Sequence, residues 1–123
     1  AWDDNDELTE DPQSEISLIY YPNKEGLEDR TYRIKTERSG ASSLPEPRTT
    51  HFTSNLEILS QDENEVTLRF NWLTKSYRYQ QVDEFFGTSF YTLDTTGEQP
   101  LIREKRVVLI NDCINRVLDV YHL

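Results

Sequence analysis

The feature that most constrains this chain is an alternation of apolar and polar side chains that begins near residue 50. In an extended strand every second side chain points to the same face, so a period of two indicates a half-buried β-strand. Two such runs flank the polar turn 61–64, and this arrangement predicts a β-hairpin. The first run comprises Phe52, Ser54, Leu56 and Ile58, and the second comprises Val66, Leu68, Phe70 and Trp72.

The same period continues beyond the hairpin. Tyr77 and Tyr79 prolong the second strand, and the turn 95–98 leads into a fourth strand from Leu101 to Ile110. A third strand carries residues that face together, which are Phe86, Thr88, Phe90 and Thr92. The last run, 114–123, either prolongs the fourth strand past a bulge at 111–112 or forms a short strand of its own. We therefore expect four or more antiparallel strands.

A single helix is predicted before the strands, over residues 24–39. Asn23 can cap its start, Leu27 and Ile34 share one face, and Gly40 can close its end. Helical segments followed by a run of strands indicate an α+β fold. We expect one domain over residues 1–123, with the helix packed on one face of a curved, mainly antiparallel sheet.

The segments around the helix are shorter and less regular. Residues 16–21 form a β-rich run that Pro22 ends, which indicates a short strand or the entry to the helix. Residues 1–14 are acidic and indicate a loop or an edge piece, and two prolines mark 42–47 as a loop.

One helix covers little of a sheet with this much aromatic surface. We therefore expect further N-terminal helices or another subunit to cover the rest. The chain has no Met and begins Ala1-Trp2-Asp3, which suggests that an N-terminal segment precedes it.

The charge of the chain disfavours two classes of partner. Its 13 basic and 23 acidic residues give a net charge of −10, and this sign repels phosphate backbones and anionic lipid headgroups. No apolar run approaches the ~20 residues that a membrane span needs. The single cysteine, Cys113, excludes an internal disulfide and is expected to be a small buried residue. We expect a cytoplasmic protein that binds neither nucleic acid nor membrane.

Few residues are available for catalytic chemistry. The chain holds only two histidines, His51 and His122, and they lack partners at metal-ligand spacing. It has no phosphate-binding glycine loop and no nucleophile elbow. His51 could act as a general base in a pocket, but a local hydrogen bond that fixes the start of the first strand is the simpler interpretation.

Two further groups of side chains are better explained by packing than by chemistry. The tyrosines at strand spacing suit a core or an interface, because they bury a large area and keep a polar tip. They are Tyr20, Tyr21, Tyr77, Tyr79 and Tyr91. The arginines near the helix suit ion pairs within the chain or across a subunit boundary. They are Arg30, Arg33, Arg38 and Arg48.

Short stretches along nearly the whole chain carry a family resemblance. They are Trp2-Asp3-Asp4, Leu8-Thr9-Glu10-Asp11-Pro12, 16–21, Gly26-Leu27-Glu28-Asp29-Arg30, Pro47-Arg48-Thr49, His51, Ser54-Asn55, 97–102, Leu109-Ile110-Asn111-Asp112 and 118–123. Together they resemble the small (β) subunit of aromatic-ring-hydroxylating (Rieske non-haem iron) dioxygenases. Within that family the pattern is most similar to the benzoate and toluate 1,2-dioxygenase branch, with anthranilate and halobenzoate relatives close to it.

The resemblance implies a cone-shaped fold like that of nuclear transport factor 2. It also implies a hexamer of three large and three small subunits, with the small subunits associating as a trimer. The Rieske [2Fe–2S] cluster and the mononuclear iron would belong to the large subunit, and NADH would supply electrons through a separate reductase. One cysteine and two histidines fall short of the ligands that these two centres take, which agrees with that division.

On this basis the chain is expected to be a non-catalytic structural subunit with no catalytic, cofactor-binding or metal-binding residue of its own. The assembled enzyme would convert a benzoate-type aromatic carboxylate into a cis-diol. The residues expected at subunit interfaces are Trp2, Arg48, His51, Asp112, Tyr121 and His122. The alternative is a free-standing cone-fold protein that binds a small molecule or acts as a pocket enzyme with His51 as acid or base.

Overall fold

The computed structural model describes residues 7–14, 19–36, 45–111 and 113–123, and each structural statement below refers to these ranges. The regular elements are the helix α1 (Lys24–Lys35), the strands β1 (Arg48–Gln61), β2 (Glu65–Arg78), β3 (Gln81–Asp94) and β4 (Leu101–Leu109), and a 3₁₀ turn (Val120–His122). The four strands form one antiparallel sheet in the order β1-β2-β3-β4. The predicted α+β class and the four-stranded meander are confirmed.

The turns between the strands have local chemical causes. Oδ1 of Asp62 accepts hydrogen bonds from the backbone N–H groups of Asn64 and Glu65, each at 2.8 Å, and this closes the β1–β2 turn. Asp94 accepts from the N–H of Thr96 at 2.9 Å at the start of the β3–β4 connection. Short acidic side chains stabilise turns in this way because they replace a backbone acceptor.

The β2–β3 connection corrects the predicted extent of the second strand. Arg78 pairs with Gln81, so the hairpin loop consists of Tyr79 and Gln80 alone. Both residues have positive φ, 52° and 62°, as the loop of a type I′ hairpin requires. Tyr79 therefore belongs to the turn and not to β2, and the prediction that it prolongs the strand is wrong.

A bulge in β1 corrects the predicted alternation of its side chains. Ser54 pairs with Asn71, but the next pair joins Glu57 to Arg69, so one extra residue lies in β1. Asn55 has a φ of 55° at this point. The bulge shifts the register by one residue, so Ile58 lies on the opposite face of the sheet from Phe52. The prediction that 52–58 share one alternating face is wrong.

The two faces of the sheet have different surroundings. We call the face that carries Trp72, Thr74 and Ser76 of β2 the covered face, and the face that carries Leu73 and Tyr77 the open face. The core, Trp72, Phe85 and Leu109, lies on the covered face. The C-terminal segment packs against this core through Ile114, Leu118 and Leu123. The run 114–123 is thus an irregular segment that lies over the sheet, and the prediction of a strand there is wrong.

The helix is shorter than predicted. The side chain of Asn23 accepts from the N–H of Glu25 at 3.1 Å, which confirms the predicted N-cap. The helix ends at Lys35 with Thr36 as C-cap, so it does not extend to residue 39 as predicted. The predicted C-terminal Gly40 lies outside the described residues, as do parts of the predicted segments 1–14, 16–21 and 42–47.

Gly87 provides a test of the close approach between β3 and β4. A Cβ at this position would overlap the backbone carbonyl oxygen of Val108, which cannot move without breaking the sheet. We expect Gly87→Ala to lower the free energy of unfolding by about 1–3 kcal/mol or more, because overpacking forces backbone shifts. The measurement is urea denaturation.

The matched control is Gly97→Ala, where the nearest atom, the carbonyl oxygen of Gln99, is 3.7 Å from the added Cβ. This substitution should change the free energy of unfolding by no more than about 0.5 kcal/mol. Equal losses in the two variants would contradict the proposed strand contact.

Candidate functional site

The most conspicuous polar contact in the structure is an ion pair between the helix and the C-terminal segment. Nε of Arg30 donates to Oδ1 of Asp119 at 2.8 Å, and Nη2 of Arg30 donates to Oδ2. The Asp119 side chain is 0% exposed and that of Arg30 is 23% exposed. The pairing raises the pKa of Arg30 above its ordinary value. A carboxylate buried to this degree is stable only because a two-bond partner replaces its water.

His122 lies beside this pair and is itself buried. The backbone N–H of Asp119 donates to Nδ1 of His122 at 3.0 Å, while Nε2 lies 3.3 Å from Oγ of Ser76. Because Nδ1 accepts, the ring proton belongs on Nε2, which donates to the serine. The ring also contacts the rings of Phe85 and Tyr121, with centroids 4.7 and 4.4 Å away. Burial lowers the pKa of His122 below its ordinary value.

His51 is placed differently. It lies on β1 and is exposed, and its Nδ1 is 2.9 Å from Oγ1 of the buried Thr74 on β2. The sequence interpretation of a local hydrogen bond is correct in kind, but the bond crosses between two strands instead of fixing a loop.

A small cavity opens between the β2–β3 turn and the C-terminal segment. Its volume is about 170 Å³, and its lining includes Ser76, Arg78, Arg116 and His122. Pockets that enclose a small molecule usually measure about 300–1,000 Å³. His51 is not among the residues that line this cavity, so the pair of histidines does not converge on one space. Among the described residues no group of three or more His, Cys, Asp or Glu could hold a metal ion.

The open face carries a row of apolar side chains that crosses β1, β2 and β3 and reaches the residue that follows β4. Phe52 pairs with Leu73, Leu73 pairs with Phe86, and the N–H of Ile110 donates to the carbonyl of Phe86 at 2.9 Å. We call Phe52, Leu73, Phe86 and Ile110 the apolar row. Phe52, Phe86 and Ile110 are 51%, 41% and 51% exposed. An exposed apolar row of this kind is a candidate contact surface.

On β2 and β3 the side chains beside the apolar row are polar. Lys75 and Glu84 form an ion pair of 2.8 Å on one side of the row. On the other side, Oγ1 of Thr88 donates to Oδ1 of Asn71 at 3.5 Å. An apolar centre with a rim of polar pairs is the usual anatomy of a protein–protein interface.

The residues predicted at interfaces are spread over the molecule. Arg48 lies at the start of β1 on the open face, with its guanidinium 4.8 Å from the ring centroid of Tyr77. His51, Tyr121 and His122 belong to the side of the covered face, where His122 is buried within this chain. Trp2 and Asp112 lie outside the described residues.

Other expectations for individual side chains are corrected. Cys113 is exposed, and its Sγ lies 3.4 Å from Oδ1 of Asn115, so it is not the small buried residue that was predicted. Tyr20, Tyr77 and Tyr79 are exposed in the chain, so of the two predicted locations, core or interface, the interface stays a prediction for them.

Sequence reasoning missed both principal features of the site. The apolar row could have been found by pairing the alternating runs across their turns, because the 79–80 loop aligns Leu73 with Phe86. The ion pair joins residues 89 positions apart, and no local pattern marks such a contact.

The comparisons with known proteins agree over the whole chain. The family described as "Ring hydroxylating beta subunit" matches residues 1–116. The chain is 63% identical over 123 residues to the toluate 1,2-dioxygenase subunit beta of Pseudomonas putida, and covers 75% of that protein. It is 58% identical over 123 residues to the benzoate 1,2-dioxygenase subunit beta of Acinetobacter baylyi, and covers 72% of it.

A solved structure gives the same result in three dimensions. The crystal structure of the beta subunit of the benzoate 1,2-dioxygenase from Burkholderia mallei matches with a TM-score of 0.77 and 53% identity. The match covers 88% of this chain and 70% of that one. In the part of the chain that the structure describes, no helix has the length and apolar character that crossing a bilayer requires.

The ion pair generates an asymmetric prediction. We expect Arg30→Met to lower the free energy of unfolding by about 3–5 kcal/mol, because it leaves a buried carboxylate without a counter-charge. Asp119→Asn should cost less, about 1–3 kcal/mol, because Arg30 keeps some contact with water. The measurement is chemical denaturation at neutral pH.

The control for this prediction is an exposed pair on the same helix. Lys24 and Glu28 lie 3.2 Å apart and are largely in water. Lys24→Met should therefore change the free energy of unfolding by no more than about 0.5 kcal/mol. The prediction is wrong if Asp119→Asn lowers the free energy of unfolding more than Arg30→Met does.

Proposed function

Because this chain belongs to the family of ring-hydroxylating beta subunits, we propose that it is the non-catalytic structural small subunit of a benzoate- or toluate-type 1,2-dioxygenase. The observation that carries this proposal is 63% identity along all 123 residues to the beta subunit of a toluate 1,2-dioxygenase. The curved antiparallel sheet, cone-shaped as in nuclear transport factor 2, is the fold of such subunits. We take residues 1–123 to form one domain.

The partner of such a chain is the large (α) subunit of the same dioxygenase. We assign the Rieske [2Fe–2S] cluster and the mononuclear iron to that subunit. These two metal centres together need more cysteine and histidine ligands than the one Cys and two His of this chain. In the assembled enzyme both atoms of O₂ enter the ring of an aromatic carboxylate as a cis-diol. The electrons come from NADH through a separate reductase, in the cytoplasm.

We propose that three small and three large subunits form the complex, with the small subunits associating as a trimer. In a ring of three copies each contact joins two different surfaces, so one chain must present at least two interfaces. The apolar row is the first, because it forms a continuous apolar strip across the sheet and covering it removes the exposed parts of these side chains from water. Arg48 lies on the same face beside Tyr77 and extends this surface.

The other residues that the sequence places at subunit interfaces stay predictions, for contacts outside the open face. His51 and Tyr121 belong to the opposite side of the sheet, and His122 could take part only through the surface that covers it. Trp2 and Asp112 stay predictions as well.

The alternative of a free-standing pocket enzyme needs His51 beside a cavity that admits a substrate. The cavity of about 170 Å³ is lined by His122 and not by His51, and a second cavity of about 320 Å³, between β3 and residues 111–116, is lined by neither histidine. The hydroxyl nearest to His51 belongs to the buried Thr74, so this histidine supports a strand pair.

Native mass spectrometry of the small subunit, alone and after co-expression with its large subunit, tests the proposal. We expect a mixed hexamer that oxidises benzoate or toluate only when both chains are present. A stable small-subunit species that does not bind the large subunit, or that binds an aromatic acid tightly by itself, would overturn the proposed function.

Charged substitutions in the apolar row should prevent assembly. We expect the double variant Phe52→Glu with Phe86→Glu to reduce the amount of hexamer at least tenfold. A buried, unpaired carboxylate at an interface costs several kcal/mol, and each 1.4 kcal/mol weakens the association about tenfold. Loss of the hexamer with an intact small-subunit trimer assigns the open face to the large subunit, and loss of the trimer assigns it to a second copy.

The matched control is Tyr32→Glu, which places the same charge on an aromatic position of α1 that is 71% exposed. This variant should assemble like the parent chain. Normal assembly of the double variant would show that the apolar row is not an interface, even if the wild-type hexamer forms.

His51 distinguishes the structural role from a catalytic one. In the assembled complex, we expect His51→Ala to keep turnover per complex within about threefold of wild type, because no reacting group depends on it. The measurement is steady-state dihydroxylation of benzoate, normalised to the amount of hexamer. A thousandfold loss of turnover with normal assembly would favour the pocket enzyme.

A further inference from the structure

The C-terminal segment is held to the sheet by a few identifiable contacts. We call residues 113–123 the strap. Apart from the turn Val120–His122 it has no regular structure, and it covers the core with Ile114, Leu118 and Leu123. Its polar anchors include the Asp119 carboxylate, the His122 ring and the backbone oxygen of Leu123, which accepts from Nζ of Lys105 at 3.2 Å. The guanidinium of Arg116 adds contacts with Gln81 and Asp83 of β3.

One of these anchors depends on a single protonation state. Nδ1 of His122 is the acceptor for the N–H of Asp119, which closes the turn as a capping box. A second proton on the ring would convert Nδ1 into a donor that faces this N–H. The same proton would place a full positive charge on a ring that is 4% exposed and packed against Phe85 and Tyr121. Both effects oppose the closed arrangement.

The charged groups around His122 do not compensate for that charge. On the strap, the Asp119 carboxylate is held by Arg30 of α1 and by the N–H of Val120. On β3, Asp83 lies 3.4 Å from the guanidinium of Arg116.

The other titratable groups near the ring oppose a further positive charge or are neutral. Arg78 of β2 lines the same cavity as His122, and His51 of β1 disfavours the charged form. Tyr121 is neutral near pH 7, and its pKa is raised by burial. Burial lowers the pKa of His122 by more than the carboxylates of Asp119 and Asp83 raise it, so this pKa lies below its ordinary value.

We propose that the strap is a proton-sensitive latch, which stays closed over the sheet while the His122 ring is neutral and opens in mildly acidic solution when the ring takes up a second proton. The inference is independent of the proposed function, because every contact that carries it lies within this chain. It makes the covering of the hydrophobic core, and with it the integrity of the small subunit, dependent on pH.

The direction of the effect follows from linkage. The open strap exposes His122 to water, where its pKa is near 6.5, whereas the closed strap holds the neutral form. The contribution to stability is therefore complete above about pH 6.5 and declines as the pH falls below that value. His51 and His122 are the only side chains of the sequence whose ordinary pKa values lie between pH 7.5 and 5.5.

The test is hydrogen–deuterium exchange of the full small-subunit chain at pH 7.5 and 5.5, with peptides resolved by mass spectrometry and intrinsic exchange rates normalised. We expect the opening constant of 113–123 to rise by up to about tenfold, the ratio that a group with an open-state pKa near 6.5 can produce over this interval. Peptides from β2 and β3 should keep their protection.

Two variants assign the response to one ring. His51→Gln should leave the pH response of the strap unchanged. His122→Gln should abolish the response and show the same exchange at both pH values, because glutamine does not titrate there. If His122→Gln fails to fold, the wild-type chain and His51→Gln still decide the question.

Three results would overturn the latch. The first is strap exchange in the wild-type chain that does not change with pH, and the second is a response that disappears in His51→Gln. The third is a parallel rise in the exchange of β2 and β3, which would mean that the whole domain opens and that the strap does not act as a separate element.

Discussion

The burial of one carboxylate, that of Asp119, determines how the separate parts of this chain fit together. A fully buried carboxylate is stable only with a counter-charge in contact, and Arg30 supplies it from a helix that precedes the sheet. The same residue caps the turn that positions His122 against Ser76 of β2. Helix, strap and sheet are thereby fixed relative to one another, although the helix buries no side chain of its own.

The two faces of the sheet divide the roles of core and contact surface. On the covered face the buried hydroxyl groups of Thr74 and Ser76 are used by His51 and His122. On the open face, Phe52 and Phe86 have no covering layer among the described residues. This exposed apolar row is the surface that we propose as a subunit contact.

Sequence reasoning predicted the parts of this fold that depend on local pattern. The alternation of side chains located β2, β3 and β4, and Asn23 marked the start of the helix, because period and capping act over a few residues. The family resemblance extended this to the type of fold and the role of the chain.

Sequence reasoning failed where the local structure depends on a contact between distant residues or on one extra residue in a strand. The bulge at Asn55 reverses the faces of the following residues, and the strap lacks a strand because Asp119 and His122 anchor it in another conformation. The ion pair itself could not be predicted, since Arg30 and Asp119 each belong to an ordinary polar stretch. The aromatic residues were expected in a core or an interface, and only the pairing register shows that Phe52 and Phe86 meet on the open face.

The arrangement of polar groups agrees with the non-catalytic role that we propose for this chain. An active site needs acid, base or donor groups that are free to meet a substrate within one cavity. Here His122 is bound to a serine and a backbone N–H, and His51 is bound to Thr74 on a strand that it helps to pair. Both histidines are used to hold the fold. What the described residues leave exposed is the apolar row, which we propose as a subunit contact.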